Sequence, residues 1–294
     1  MKKMKAFQLN HVLISLLSLA ELGATTPIDL GSILSAFFGT GSNPSTPPTT
    51  STVDQEVQPV AQSPTTTLIP PTCFDSQSNL ESYFSYNYPW GDSHNGAAKM
   101  SPAYSIASNG ILTLTSVHTG AWPLAYNAGT VFAKQNFSVP KGPGGIDFSA
   151  KFQATTIKGT WPAFWLTSAD GGWPPEIDIA EWKGDGQIYF NTFNTSSQVD
   201  AHPIPYPSPS DWHEVKCSLR DSGNGIDMSI KFWLDGQLIA TQVGAKYIGA
   251  HFWLIIDLQM EGGSGNPGPT TSKYCCGFSK EIVHPTLTHH PADI

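Results

Sequence analysis

The sequence predicts an all-β fold, a sandwich built around one sizeable core. Short runs of β-branched and aromatic residues recur between clusters of Gly, Pro, Asn and Asp, as at residues 111–116, 145–152 and 226–233. Asp235-Gly236, between Leu234 and Gln237, is the signature of a two-residue hairpin, because both positions tolerate the positive φ that such a turn demands. No long stretch repeats its apolar residues at the helical period. Many short strands separated by turn signals make sandwich patterning. The region that carries it, residues 73–294, is long enough for a single domain.

What precedes that region has a different composition. Lys2, Lys3 and Lys5 lead into an apolar run from Val12 to Ala20, with small residues at Ala20 and Ala24. Residues 1–24 therefore read as a secretory signal peptide, too short for a comfortable membrane span. An uncleaved anchor or an amphipathic helix is the other reading of the same residues. Residues 25–72 turn to Ser, Thr, Pro and Gln. Such a segment cannot bury enough apolar surface to offset its ordering entropy, so a disordered linker suited to O-glycosylation is expected. The expectation is a secreted protein, extracellular or in a cell wall, with no membrane contact after signal cleavage.

A net charge of −8 and a pI near 5.5 argue against electrostatic binding of nucleic acid or of an anionic polysaccharide, and favour a neutral partner. The four cysteines, Cys73, Cys217, Cys275 and Cys276, allow three pairings or free thiols, and lack the two clustered pairs of a zinc site. No phosphate loop or Ser-His-Asp order stands out. No cofactor and no metal are expected, and the chain is expected to be a monomer.

One stretch concentrates chemistry. From Trp173 to Trp182 the chain reads WPPEIDIAEW, placing Glu176, Asp178 and Glu181 within six residues of a protein only 13% charged. Ile177 and Ile179 alternate with the acids as in a strand. On a regular strand Glu176 and Asp178 share a face and Glu181 points the other way. One extra residue near Ile179-Ala180, a β-bulge, would bring all three acids to one side. Crowded carboxylates cost stability, and a pair flanking a sugar is what glycosidic bond cleavage requires; a solvated acidic strand is the plainer alternative. Trp161, Trp165, Trp173 and Trp182 surround the motif, and aromatic rings stack on the C–H faces of sugars. The next strand, residues 187–194, offers Asn191, Phe193 and Asn194 for hydroxyl contacts and stacking. Either Asn could instead serve a turn or carry glycan, since Asn194-Thr195-Ser196 and Asn136-Phe137-Ser138 are sequons. The Gly/Asn/aromatic loop from Tyr83 to Asn95 is either a cleft wall or a structural loop.

The EIDIAE segment, with Trp161-Pro-Ala-Phe-Trp165-Leu166 upstream, resembles glycoside hydrolase family 16, in the subgroup with the bulged motif. The resemblance runs over roughly residues 73–265 and includes Asn127 to Lys134, Asp211-Trp212-His213, Phe232 to Gly236 and Phe252 to Leu258. It implies a β-jelly-roll sandwich of two antiparallel sheets with a concave substrate cleft, and a retaining mechanism. Glu176 would be the nucleophile, Asp178 the helper acid and Glu181 the general acid/base. Trp161, Trp165, Trp173, Trp182, Asn191, Phe193 and Asn194 would bind substrate. The implied activity is endo-hydrolysis of a β-linked polysaccharide, with a neutral β-glucan expected. A galactan or agar-type hydrolase, a transglycosylase and a non-catalytic lectin on the same fold are the alternatives. Departures are Thr130, where the family often has Arg, and residues 187–194, which lack the His that many laminarinases carry. After residue 269 the sequence diverges and its strand patterning is poor.

Overall fold

A computed structural model describes residues 66–120, 123–261 and 268–277. The expected signal peptide, the linker up to residue 65 and the tail beyond residue 277 lie outside the described residues. A short helix, α1 (Gln77–Tyr83), is capped by Ser76, whose hydroxyl accepts the Asn79 N–H. The strands that follow are β1 (Phe84–Tyr86), β2 (Ala98–Met100), β3 (Ser105–Ser108), β4 (Ile111–His118) and β5 (Tyr126–Ala128). Next come β6 (Thr130–Ala133), β7 (Gly145–Gln153), β8 (Thr160–Ser168), β9 (Glu176–Glu181), β10 (Gln187–Thr195) and β11 (Gln198–Pro205). The chain continues through β12 (His213–Asp221), β13 (Met228–Leu234), β14 (Gln237–Gly244), β15 (Phe252–Met260) and β16 (Thr271–Gly277).

Two sheets result. One has the order β1-β6-β15-β8-β9-β10-β11; the other runs β14-β13-β12-β7-β16-β4-β5-β2, with β3 also paired to β4. Every pairing is antiparallel except β2 with β5. This is the jelly-roll sandwich the sequence predicted. Asp235 and Gly236 both take positive φ, at 49° and 79°, in the hairpin joining β13 to β14. The core lies between the sheets: Phe164 and Leu166 of β8, Ile177 of β9, Phe190 of β10 and Leu254, Ile256 and Leu258 of β15 face Phe148 and Phe152 of β7, Leu219 of β12 and Phe232 of β13. A second apolar cluster forms on the outer face of the seven-stranded sheet, where Tyr88, Ala97 and Met100 cover Ala163, Trp165 and Ile255. That cover explains why β8 and β15 are buried on both faces and read as nearly continuous apolar runs.

Three expectations are corrected. Ile69 is buried in the main core and Leu68 packs against it, so the folded part starts before residue 73. The divergent C-terminal segment does form a strand: β16 pairs with β4 on one side and β7 on the other. Its alternation was disguised by Ser272, Lys273 and two small thiols, yet Tyr274 and Cys276 enter the core while Thr271 and Lys273 face outward. Trp182 does not line the cleft. It follows Glu181 by one residue, so it points to the opposite face, where it is fully buried against Phe152, Tyr206 and Tyr274. All four cysteines are buried free thiols.

Trp182→Ala should therefore behave as a core truncation, costing about 3–5 kcal/mol in a denaturant titration. A substitution without effect on stability would contradict the core assignment.

Candidate active site

Register fixes the geometry of β9. Against β8, Glu181 faces Ala163, Ala180 faces Phe164 and Asp178 faces Trp165, so Ile179 has no partner of its own. Against β10 the same slip occurs between Tyr189, opposite Glu181, and Asn191, opposite Asp178. Ile179 is thus the extra residue of a β-bulge, and Ile177, Ile179 and Ala180 all enter the core. Glu176, Asp178 and Glu181 consequently share the outer face, where they line one pocket with Trp161, Trp165 and Asp257. A larger hollow, about 720 Å³, lies on the other sheet around Val117, Gln153 and Lys273, without these carboxylates.

Each acid has named partners. Trp173 Nε1 donates to Glu176 Oε2 at 2.8 Å, and the Trp173 ring packs on Phe193 with centroids 5.5 Å apart. Asn191 Nδ2 donates to both Asp178 Oδ2 at 2.8 Å and Glu181 Oε2 at 3.0 Å. Glu181 Oε1 accepts from Trp161 Nε1 at 2.6 Å and lies 3.3 Å from Lys183 Nζ, which sits over the Trp161 and Tyr189 rings. The Tyr247 hydroxyl fixes the backbone under Glu176, accepting the Glu176 N–H and donating to the Phe193 carbonyl.

The expected substrate-binding residues divide accordingly. Trp161, Trp165, Trp173, Asn191 and Phe193 come together around the acids. Asn191, however, is engaged with two carboxylates, so it positions acids before it meets any ligand. Asn194 is separated from the group: one residue past Phe193, its amide donates to Val243 O and accepts the Ala245 N–H, tying β10 to the end of β14. The structure also adds residues that the sequence reading left out. Lys183 is one; Asp257 is another, a buried carboxylate on β15 that receives the Tyr88 hydroxyl at 2.5 Å. Gln259 Oε1 accepts the Ala98 N–H at 2.9 Å and straps the 87–97 loop over the sheet.

The pattern described as Glycosyl hydrolases family 16 matches residues 112–244. A galactan endo-β-1,3-galactanase of Flammulina velutipes is 40% identical over 215 residues, spanning 69% of this chain and 84% of that protein. The chain belongs to glycoside hydrolase family 16. Among solved structures, an endo-1,3-β-glucanase of Streptomyces sioyaensis superposes with a TM-score of 0.53 at 18% identity, covering 68% of this chain and 91% of that one. The laminarinase catalytic domain of Thermotoga maritima gives 0.53 at 16% identity, covering 68% and 92%. At that identity these structures share the fold.

As a family 16 member the chain is a glycoside hydrolase acting on O-glycosyl bonds. Burial pushes Glu176 up to about 8, with the Glu181 carboxylate adding to the rise against the restraint of Trp173. Asp178 is raised well above the ordinary carboxylate range by burial, then by Glu181 and Glu176. Burial pulls Lys183 down, but Glu181 and Asp178 together outweigh it, and Lys183 stays a cation. Asp257 is raised to about 7 by burial, with the Tyr88 hydroxyl opposing.

A carboxyl whose folded pKa exceeds its unfolded value favours the fold in its neutral form. Its contribution is complete below the unfolded value of about 4 and is lost as pH rises through the folded one. For Glu176 that window closes near 8. Glu176→Gln should therefore raise Tm more at pH 8 than at pH 4, by on the order of 3 °C per kcal/mol recovered. Thermal melts at the two pH values check this, and an equal shift at both would contradict it.

Proposed function

We propose that this chain is a secreted, endo-acting, retaining hydrolase of a β-1,3-linked polysaccharide, with β-1,3-galactan as its substrate. The observation that carries the reading is the bulge at Ile179, which turns Glu176, Asp178 and Glu181 into one cleft. The choice of galactan over the β-glucan expected from the sequence rests on the Flammulina velutipes galactanase, 40% identical across 84% of its length. The glucanases of similar fold are too distant in sequence to speak to substrate. A lectin has no use for three crowded carboxylates held by Trp173, Trp161, Asn191 and Lys183.

In this reading Glu176 attacks the anomeric carbon and the glycosidic bond breaks, leaving a glycosyl-enzyme ester. Glu181 gives its proton to the departing oxygen, then takes one from the water that hydrolyses the ester. Asp178 shares the Asn191 amide with Glu181, so a proton or charge on one is felt by the other. Once Glu176 is an ester it carries no negative charge, and Glu181, having given its proton to the departing oxygen, faces the attacking water as the carboxylate that takes its proton. Trp173 and Phe193 flank the nucleophile and offer rings to the sugar.

Product release from β-1,3-galactan, laminarin, lichenan and agarose should single out the galactan. Glu176→Ala and Glu181→Ala should each lose about 10²–10⁴ in kcat. Azide should rescue the two differently. With Glu181→Ala it traps the glycosyl-enzyme as an azide of retained configuration; with Glu176→Ala it attacks directly and inverts. Exchanged outcomes would reverse the two roles, and an inverted wild-type product would rule out retention.

A further inference from the structure

The step that sends Trp182 into the core returns the next residue, Lys183, to the side that carries the acids. Lys183 lies just past the end of β9, yet its backbone is held on both flanks. The Trp182 N–H binds Pro162 O at 3.0 Å. Gly184 then turns the chain at a φ of 68°, so close to the connection between β7 and β8 that a Cβ there would stand 2.6 Å from Ile157 O. Only glycine meets both conditions, the positive φ and the close approach.

The ammonium is held as firmly as the backbone. Lys183 Nζ lies 3.3 Å from Glu181 Oε1, 5.3 Å from the centre of the Trp161 ring and 5.8 Å from that of Tyr189. Trp161 belongs to β8 and Tyr189 to β10, the two strands paired with β9, so a ring from each neighbour faces the cation. Asp185 accepts the Tyr189 hydroxyl and steadies one of those rings. The surroundings are acidic from every side: Glu176, Asp178 and Glu181 on β9, Asp257 on β15, Glu261 just after β15, and Asp185 ahead of β10. The pocket is also lined by His94, from the loop between β1 and β2, but burial holds its pKa down to about 4, so it brings no charge at neutral pH.

We propose that Lys183 is a positioning residue for the reaction: its ammonium, clamped between the Trp161 and Tyr189 rings, is the counter-cation that lets the acids of β9 carry negative charge, and it sets the lower end of the pH range in which the site works. The inference rests on the hydrolase reading above and deepens it. A nucleophilic carboxyl must be ionised to attack, whereas burial favours its neutral form. Burial raises both Glu176 and Asp178, and Lys183 opposes the rise in each. Burial would lower Lys183 itself, but Glu181 and Asp178 outweigh it, so Lys183 keeps its proton and acts as a fixed charge. With 39% of its side chain exposed, water screens part of the attraction, and the effect on the acids is about one pH unit.

The test compares wild type with Lys183→Met, which keeps an unbranched apolar stem and loses the charge, and with Lys183→Arg, which keeps the charge. In pH profiles of kcat/KM on the polymer that the wild type cleaves, the acid limb of Lys183→Met should lie about one pH unit higher. That variant should be about tenfold slower below the wild-type limb and within about twofold of wild type on the plateau. Lys183→Arg should restore the wild-type limb. A second readout needs no turnover. Glu176 and Asp178 are neutral at low pH, where the ammonium has no charge on them to offset, and Glu176 ionises as pH rises through about 8. Lys183→Met should therefore lose about 3 °C more in Tm at pH 9 than at pH 4. Lys183→Gln takes its place if Lys183→Met fails to fold. A rate loss equal at every pH, an acid limb in Lys183→Arg displaced like that of Lys183→Met, or an equal change in Tm at the two pH values would each overturn the proposal. A wild-type chain that releases nothing from any polymer would defeat the hydrolase reading and with it the role in the reaction, while the melts would still report the charge pairing separately.

Discussion

The site depends on a mismatch of one residue between neighbouring strands. A strand alternates its side chains with period two, so acids five positions apart cannot share a face unless the count is broken between them. Ile179 breaks it, and the core absorbs the consequence by accepting Ile179 and Ala180 side by side. The acid-bearing face is thus guaranteed by apolar burial on the opposite face. Moving Glu181 back would require pulling one of those side chains out of the core. The strain of crowding three carboxylates is held by the same packing that makes the sandwich.

Around that constraint the polar partners act as a graded set. Asn191 couples two acids, Trp173 serves one, and Trp161 with Lys183 serves the third. Trp161 and Asn191 come from strands paired directly to β9, so register places them, while Trp173 and Lys183 lie in the connections just before and just after β9. Beyond them, Asp257 and Gln259 on β15 reach outward and fasten the loop that carries Trp90 and His94. The cleft is therefore built in two layers: acids and their donors on the sheet, then an aromatic wall tied to the sheet by buried polar bonds.

Much of this was legible in the sequence because the informative pattern was local. EIDIAE states its own parity problem, and the bulge is its simplest solution. The Asp235-Gly236 turn was readable in the same way. What failed was the step from neighbourhood to face. Trp182 and Asn194 each follow a cleft residue by one position, and that single step puts one in the core and the other against β14. Lys183 stood beside the motif and was passed over because a lone exposed-type residue carries no period. Asp257 was hidden in an apolar run, where one acid among Ile and Leu was itself the signal of a buried polar contact. β16 escaped because a central strand made of Ser, Lys, Tyr and Cys has the right alternation and the wrong composition.

That last strand has a consequence for how the molecule comes into being. β16 lies between β4 and β7, and its Ser272 hydroxyl meets Ser116 across 156 residues of chain. Until β16 is inserted, the nine-stranded sheet is in two pieces with raw edges facing an unfilled slot. Such long-range closure gives the domain a high contact order, which slows its folding.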